Sequence, residues 1–323
     1  MKKVLKFLGY ALLAVLALII GFVIFIQVRG VPHYDVNMPA DLIDMKVDVT
    51  PERVERGAKI ASMTCVQCHL GNDGKLSGKQ IADVPKEFGW VHSANITSHP
   101  EAGIGKRTDG QLYYMLRTSI RWDGSYVPPY MPTFPRMADE DLKSIIAWLR
   151  SGNPMTQPSD IIAPNPRPSF LAKVLTLFAF KPFPYQTKPI VAPDSTDVIA
   201  FGKYVANDLY DCYGCHSADF KTYDPLVPEH TVGFYGGGNP LLNLEGETVR
   251  SANLTLDPTG IARYTKDEFI QIVRWGKRPD GTMVRYPMTP HTALTDYEAG
   301  AIYEYLKTVP HIQNVVQNSL NAQ

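Results

Sequence analysis

Cysteine is scarce in this 323-residue chain: there are four, and two short motifs use all of them. None is left over for a disulfide framework of the kind that staples small secreted folds. Net charge is lacking too, with 32 Lys+Arg against 32 Asp+Glu. Charge balance therefore gives no support to a nucleic-acid-binding role. No G-x-S-x-G and no H-E-x-x-H occurs, so the common hydrolytic signatures are missing. A single apolar run, at the N-terminus, is long enough to cross a bilayer. What is present is an ordinary globular composition, 45% hydrophobic, with room for about two domains.

The two cysteine motifs are Cys65-Val66-Gln67-Cys68-His69 and Cys212-Tyr213-Gly214-Cys215-His216. Each puts two thiols and an imidazole close enough to hold one planar group. C-x-x-C-H is the attachment pattern of c-type haem. Cys65 and Cys68, and likewise Cys212 and Cys215, would form thioethers with the two vinyl groups, and His69 and His216 would each supply an axial nitrogen. A redox C-x-x-C needs no following histidine, and a zinc site needs further ligands at suitable spacing. Two motifs predict two covalently bound haem c groups with their iron.

Lys2, Lys3 and Lys6 precede an uncharged run from Phe7 to Val28 that Arg29 closes. Those 22 residues can span a hydrocarbon core. Basic residues at the start predict a cytoplasmic N-terminus and a periplasm-facing remainder. A cleaved leader would have a shorter apolar stretch and an A-x-A site, and Phe22–Arg29 offers none. The expectation is a single-pass anchor in the bacterial inner membrane.

Beyond the anchor the chain repeats itself at an offset of 157 residues. Thr108-Asp109-Gly110-Gln111 matches Thr265-Lys266-Asp267-Glu268, and both have the form of a helix-starting capping box. Arg117 falls on Arg274, Arg121 on Arg278, Met131 on Met288 and Asp139 on Asp296; Asn95-Ile96-Thr97 matches Asn253-Leu254-Thr255 one residue out of register. Between haem motif and asparagine the second half is longer, which predicts an insertion near Phe234–Pro240, read as a flexible glycine-rich loop over a haem edge. The expected fold class is all-α: two tandem class I cytochrome c-like domains after an N-terminal transmembrane helix. The expected boundaries are an anchor over 1–29, a tether over 30–49, domain 1 over 50–152, a proline-rich connector over 153–194, domain 2 over 195–310 and a tail over 311–323. Within the connector, the apolar stretch Phe170–Phe180 is too short to span a bilayer. Packing between the domains is its expected role, with a partner- or membrane-facing patch as the alternative.

Each iron needs an opposite ligand or an open position. Met131 and Met288 are the candidates, because they match in the repeat and sit in proline-rich segments eight residues before the closing helix. Methionine opposite histidine raises the potential. Among His92, His99, His230 and His291, none has a repeat counterpart, and His291, three residues after Met288, is the runner-up. Arg117, Arg121, Arg274 and Arg278 are candidate partners for the haem propionates.

In order, C-x-x-C-H, Asn-Ile-Thr with Gly103-Ile104-Gly105, Asp-Gly, Pro-Pro-Tyr-Met-Pro and Asp-Glu-Asp-Leu before a closing helix resemble the multihaem cytochrome c subunits of membrane-bound alcohol and gluconate dehydrogenases. The resemblance covers roughly residues 50–310. It implies class I cytochrome c folds and the ligand pairs His69/Met131 and His216/Met288. It also implies electron passage from a periplasmic donor toward quinone or an oxidase. Those subunits usually carry three haems and are commonly held at the membrane from their C-terminal side; two motifs and an N-terminal run stand here. The expected function is one-electron transfer between membrane-bound redox partners (an oxidase, quinol-oxidising complex, reaction centre or dehydrogenase), without catalysis by the polypeptide. The alternatives are the cytochrome subunit of a periplasmic dehydrogenase, or a dihaem enzyme of peroxidase or thiosulfate-oxidising type.

Overall fold

The chain begins as one long helix, α1 (Lys2–Arg29), in a computed structural model that describes residues 2–316. Apart from Ile26, the residues of α1 are not buried, and the helix is long and apolar enough to cross a membrane. Of the expected tail, residues 317–323 lie outside the described residues.

The segment after α1 is less of a tether than its composition suggests. A short helix, α2 (Ala40–Ile43), buries Leu42. Tyr34 N–H donates to Gly124 O at 2.8 Å, and Val47 N–H to Asp109 Oδ2 at 2.9 Å. Residues 30–49 are therefore laid onto the first helical unit.

That unit is built from α3 (Pro51–Thr64), α4 (Val66–His69), α5 (Asp109–Thr118) and α6 (Asp139–Arg150). Thr50 caps α3 by accepting Arg53 N–H, with Pro51 at the first position where a missing N–H costs nothing. Thr108 and Gln111 form the reciprocal capping box of α5. Strand β1 (Gly89–Trp90) pairs antiparallel with β2 (Arg167–Pro168), and β2 leads into α7 (Phe170–Phe178). The second unit comprises α8 (Val198–Lys203), α9 (Cys212–His216), α10 (Lys266–Trp275) and α11 (Asp296–Leu306). It also contains the ribbon β3 (Pro240–Leu242) with β4 (Thr248–Arg250). Helices dominate, and the two short ribbons are the departure from a purely helical expectation.

One crossing organises each unit. In the first, α3 crosses α6 where Gly57 faces Ser144; a Cβ on Gly57 would stand 1.9 Å from Ser144 O. In the second, α8 crosses α11 where Gly202 faces Ala301, and a Cβ there would stand 2.0 Å from Ala301 O. Ser144 and Ala301 are themselves repeat partners. Around the first crossing Ile60, Ala61, Leu142, Ile145, Ile146 and Trp148 are buried; around the second, Val205, Leu209, Tyr235, Ile302 and Leu306. From Gly57 to Cys65 is a shorter stretch than from Gly202 to Cys212. A π-helical turn over Tyr204–Leu209 and a left-handed Asp211 (φ 52°) take up the difference.

The insertion and the connector both depart from expectation. Gly78 N–H donates to His69 O and Gly237 N–H to His216 O, each at 2.9 Å, so these two glycines are equivalent. The extra length of the second half therefore lies in residues 217–236, which reaches the predicted place only at its end. Nor is the glycine run a flexible flap. Tyr235 is fully buried, Gly236 and Gly237 are buried, and a Cβ on Gly237 would meet the Ala252 and Asn253 backbone at 2.5 Å. Residues 153–161 return to the first unit, with Leu76 N–H donating to Met155 O and Ser98 N–H to Thr156 O. Helix α7 does not pack between the units. It lies against α1, with Phe22 6.4 Å from Phe170 and 6.3 Å from Phe178 between ring centroids.

The two units touch directly. Arg56 on α3 holds Asp141 on α6 at 2.7 Å and Glu298 on α11 at 3.4 Å, and Lys59 also pairs with Glu298. Tyr204 donates its hydroxyl to Asp141 Oδ2 at 2.5 Å and accepts Ala138 N–H at 3.0 Å. Arg136 pairs with Asp208 across the same junction.

Candidate haem sites

In the first motif the backbone makes one helical turn: Cys68 N–H and His69 N–H both donate to Cys65 O, at 3.2 and 2.9 Å. Spacings of three and four residues put Cys65, Cys68 and His69 on one face of that turn, which is why the x-x gap suits the chemistry. Helix α9 gives Cys212, Cys215 and His216 the same arrangement. All four thiols are free of disulfides. Burial pushes the Cys65 thiol up to about 11 and the Cys212 thiol up to about 12.

The imidazoles are oriented by matched backbone carbonyls. His69 Nδ1 lies 2.8 Å from Ala94 O, and His216 Nδ1 lies 2.9 Å from Ala252 O. A carbonyl can only accept, so Nδ1 carries the proton and Nε2 keeps its lone pair for a metal. Desolvation lowers both histidine pKa values, which favours the neutral ligating form. The accepting carbonyls are themselves fixed by the next residue. Asn95 Oδ1 accepts Thr97 N–H and the Thr97 hydroxyl, while its amide donates to Ser159 O and Ile161 O. Asn253 repeats this with Thr255 and Ile312 O. The donor set and its orientation fit a haem c at each motif.

Met131 sits half-buried after a turn in which its N–H reaches Pro128 O at 3.2 Å, and it packs against the buried core. Met288 is half-buried in the equivalent segment. His291 is held by Nδ1 to Thr289 O at 2.9 Å and packs edge-on to Tyr210, near enough that its charge lowers the His216 pKa. His99 is a turn element, its Nδ1 accepting Glu101 and Ala102 N–H. His92 contacts Ser93 O, and His230 contacts Asp224.

The arginines divide. Arg117 is buried and committed inside the protein, donating to Phe134 O at 2.8 Å, to Tyr113 Oη at 3.2 Å and to Asp139 at 2.6 Å. Arg274 pairs with Asp296, the repeat partner of Asp139. This matched ion pair ties the end of one helix to the start of the closing helix in each unit, a task other than the expected propionate contact. Arg121 lies close enough to His69 for its charge to lower that pKa, as does Lys79. Arg278 donates to Met283 O at 2.8 Å.

The folded chain also brings the two motifs together, which nothing in the sequence foretold. Gln67, inside the first motif, donates to Thr289 Oγ1 at 2.9 Å, beside Met288. Tyr286 donates to Asp83 Oδ2 at 2.6 Å. Burial first, and with it the Asp83 charge, raise the pKa of both Cys68 and Cys215.

Residues 54–153 match the cytochrome c family. Among curated relatives, the cytochrome c subunit of the quinone alcohol dehydrogenase of Gluconacetobacter polyoxogenes is 29% identical over 280 residues, covering 82% of this chain and 58% of that protein. The corresponding subunit of Gluconobacter oxydans (strain 621H) is 27% identical over 281 residues, covering 82% and 56%. The fructose dehydrogenase cytochrome subunit of Gluconobacter japonicus is 28% identical over 283 residues, covering 80% and 52%. The chain thus spans little more than half the length of these relatives.

Proposed function

We propose, from the premise that residues 54–153 form a cytochrome c domain, that the chain is a membrane-anchored dihaem cytochrome c serving as the electron-transfer subunit of a membrane-bound dehydrogenase. It comprises two tandem class I cytochrome c domains facing the periplasm. The observation that carries this reading is the duplicated ligand geometry: each C-x-x-C-H turn presents a histidine whose Nδ1 is tied to a matched carbonyl. The dehydrogenase partnership is supported by the names of three relatives from two enzyme types.

In this reading Cys65, Cys68, His69 and Met131 hold the first haem, and Cys212, Cys215, His216 and Met288 the second. When bound, haem supplies a one-electron iron couple, with a potential raised by thioether ligation and apolar surroundings. Ala94 and Ala252 orient the motif imidazoles that would ligate the iron, and Asn95 and Asn253 hold those carbonyls in place. Arg121 and Arg278 serve the propionates, while Arg117 and Arg274 act through the closing helices. His291 would be the alternative to Met288 as a ligand to the second iron. The Gln67–Thr289 and Tyr286–Asp83 contacts keep the two motifs adjacent, as a two-centre relay requires.

Haem content of the purified full-length chain tests the count: two haems per chain are expected, and one after Cys65→Ala with Cys68→Ala. One haem in the wild type would overturn the dihaem reading. Met131→Ala and Met288→Ala should each remove part of the methionine-ligation charge-transfer band. If Met288→Ala leaves it intact and His291→Ala changes the second haem, histidine is the ligand there. Purification in mild detergent should bring down a dehydrogenase subunit whose substrate reduces both haems. A chain that purifies alone and is reduced by no dehydrogenase would leave a free carrier.

A further inference from the structure

Helix α1 serves as a depth gauge for whatever touches it. Its apolar run, Phe7 to Val28, is about 33 Å long at 1.5 Å per residue, close to the ~30 Å of a hydrocarbon core. Phe22 lies six residues before Val28, hence about 9 Å inside the boundary. Both end rings of α7, Phe170 and Phe178, flank that same Phe22. Between them, Lys173 Nζ reaches Gln27 Oε1 at 2.6 Å, near the boundary. A helix that meets α1 at both positions lies within the interfacial layer.

The exposure of α7 fits that depth. Its inner face is Ala172 and Thr176, both buried. Its outer face is apolar and open, with Leu171 44% and Phe178 60% exposed. Charge is one-sided as well: residues 161–193 contain no Asp or Glu, but do contain Arg167, Lys173, Lys181 and Lys188. An apolar face beneath a basic one suits an anionic bilayer surface. The helix is also firmly coupled to the first haem unit. Ser169 caps it at Ala172 N–H, Ser169 N–H donates to Phe88 O at 3.1 Å, and β2 pairs with β1 just before it.

We propose that α7 is a second membrane contact, lying in the bilayer interface with Leu171 and Phe178 among acyl chains and Lys173 and Lys181 at anionic headgroups. It thereby adds a second point of attachment that fixes the height and tilt of the first unit. This rests on α1 crossing the membrane, as proposed above.

The test uses the full-length, haem-loaded chain in nanodiscs of phosphatidylcholine with phosphatidylglycerol. The photo-crosslinker benzoylphenylalanine is placed, one site at a time, at position 178, at position 25 in the anchor, or at position 199 on the exposed side of α8. Mass spectrometry should find lipid adducts at 178 in a yield comparable to that at 25 and about tenfold above that at 199. Labelling at 25 with only protein adducts or none at 178 would overturn the α7 contact while leaving the anchor. Absence of lipid adducts at both 25 and 178 would overturn the spanning reading, and this inference with it. Lys173→Glu with Lys181→Glu should lower the yield at 178 more with phosphatidylglycerol present than in phosphatidylcholine alone. Equal losses would overturn the headgroup contact.

Discussion

Asn95 and Asn253 each use one side chain to fix the carbonyl behind a motif histidine and to fasten a distant segment of chain. Both are buried, at 4% and 3% exposure. Replacing Asn95 with Ala leaves Ser159 O, Ile161 O and the Thr97 donors without partners. The expected cost is about 1–3 kcal/mol, visible as a melting temperature lowered by several degrees; Asn253→Ala should behave alike. Asp208 supplies a pH prediction. Burial raises its carboxyl to about 6 despite the pairing with Arg136. Folded Asp208 holds a proton that the unfolded chain has already lost, so stability should fall as pH rises from about 4 to about 6. Chemical denaturation across that range should show a shallower fall for Asp208→Asn. The motif cysteines and histidines stand out in the sequence because the attachment pattern is a matter of local spacing. The asparagines were legible as matching positions of the repeat, but not as cross-ties, since Ser159 and Ile312 lie far off in the chain.

Elements were legible where their signals are local. The capping boxes of α5 and α10 stand where the sequence places them. The helix C-terminal residues share a left-handed conformation, Ser119 at φ 66° and Gly276 at φ 71°, so the repeat persists in geometry where the residue type has changed. The crossing glycines were not recognised: Gly57 and Gly202 stand in a different register from the rest of the repeat, and only contact with Ser144 and Ala301 reveals their role. Gly57→Ala or Gly202→Ala pushes a methyl into a backbone carbonyl and must separate the helices. A loss of about 3 kcal/mol or more is expected, measured by thermal unfolding and by diminished haem incorporation in the affected unit. Helix α7 was legible as apolar, but its neighbour was not, because hydrophobicity names no partner.

At the scale of the molecule, Arg56 joins the units by serving two buried carboxylates on different helices, Asp141 and Glu298 (side chains 8% and 7% exposed). Arg56→Met fills the space but leaves Asp141 without its cation, while Glu298 keeps Lys59, at a cost of about 3 kcal/mol. The expected signature is a single cooperative thermal transition that separates into two, followed by calorimetry; a single transition lowered in temperature would mean the units remain coupled by their other contacts. By itself the sequence determined the attachment chemistry, the repeat and the apolar N-terminal run. These depend on residue type and spacing over a few positions, and local rules read such patterns. Only the tertiary structure decided which arginines are spent on closing helices, where the inserted residues lie, that Gln67 of the first motif meets Thr289 of the second unit, and that α7 rests on α1. Each of those is a contact between residues tens or hundreds of positions apart, chosen by shape and charge complementarity that no local pattern encodes.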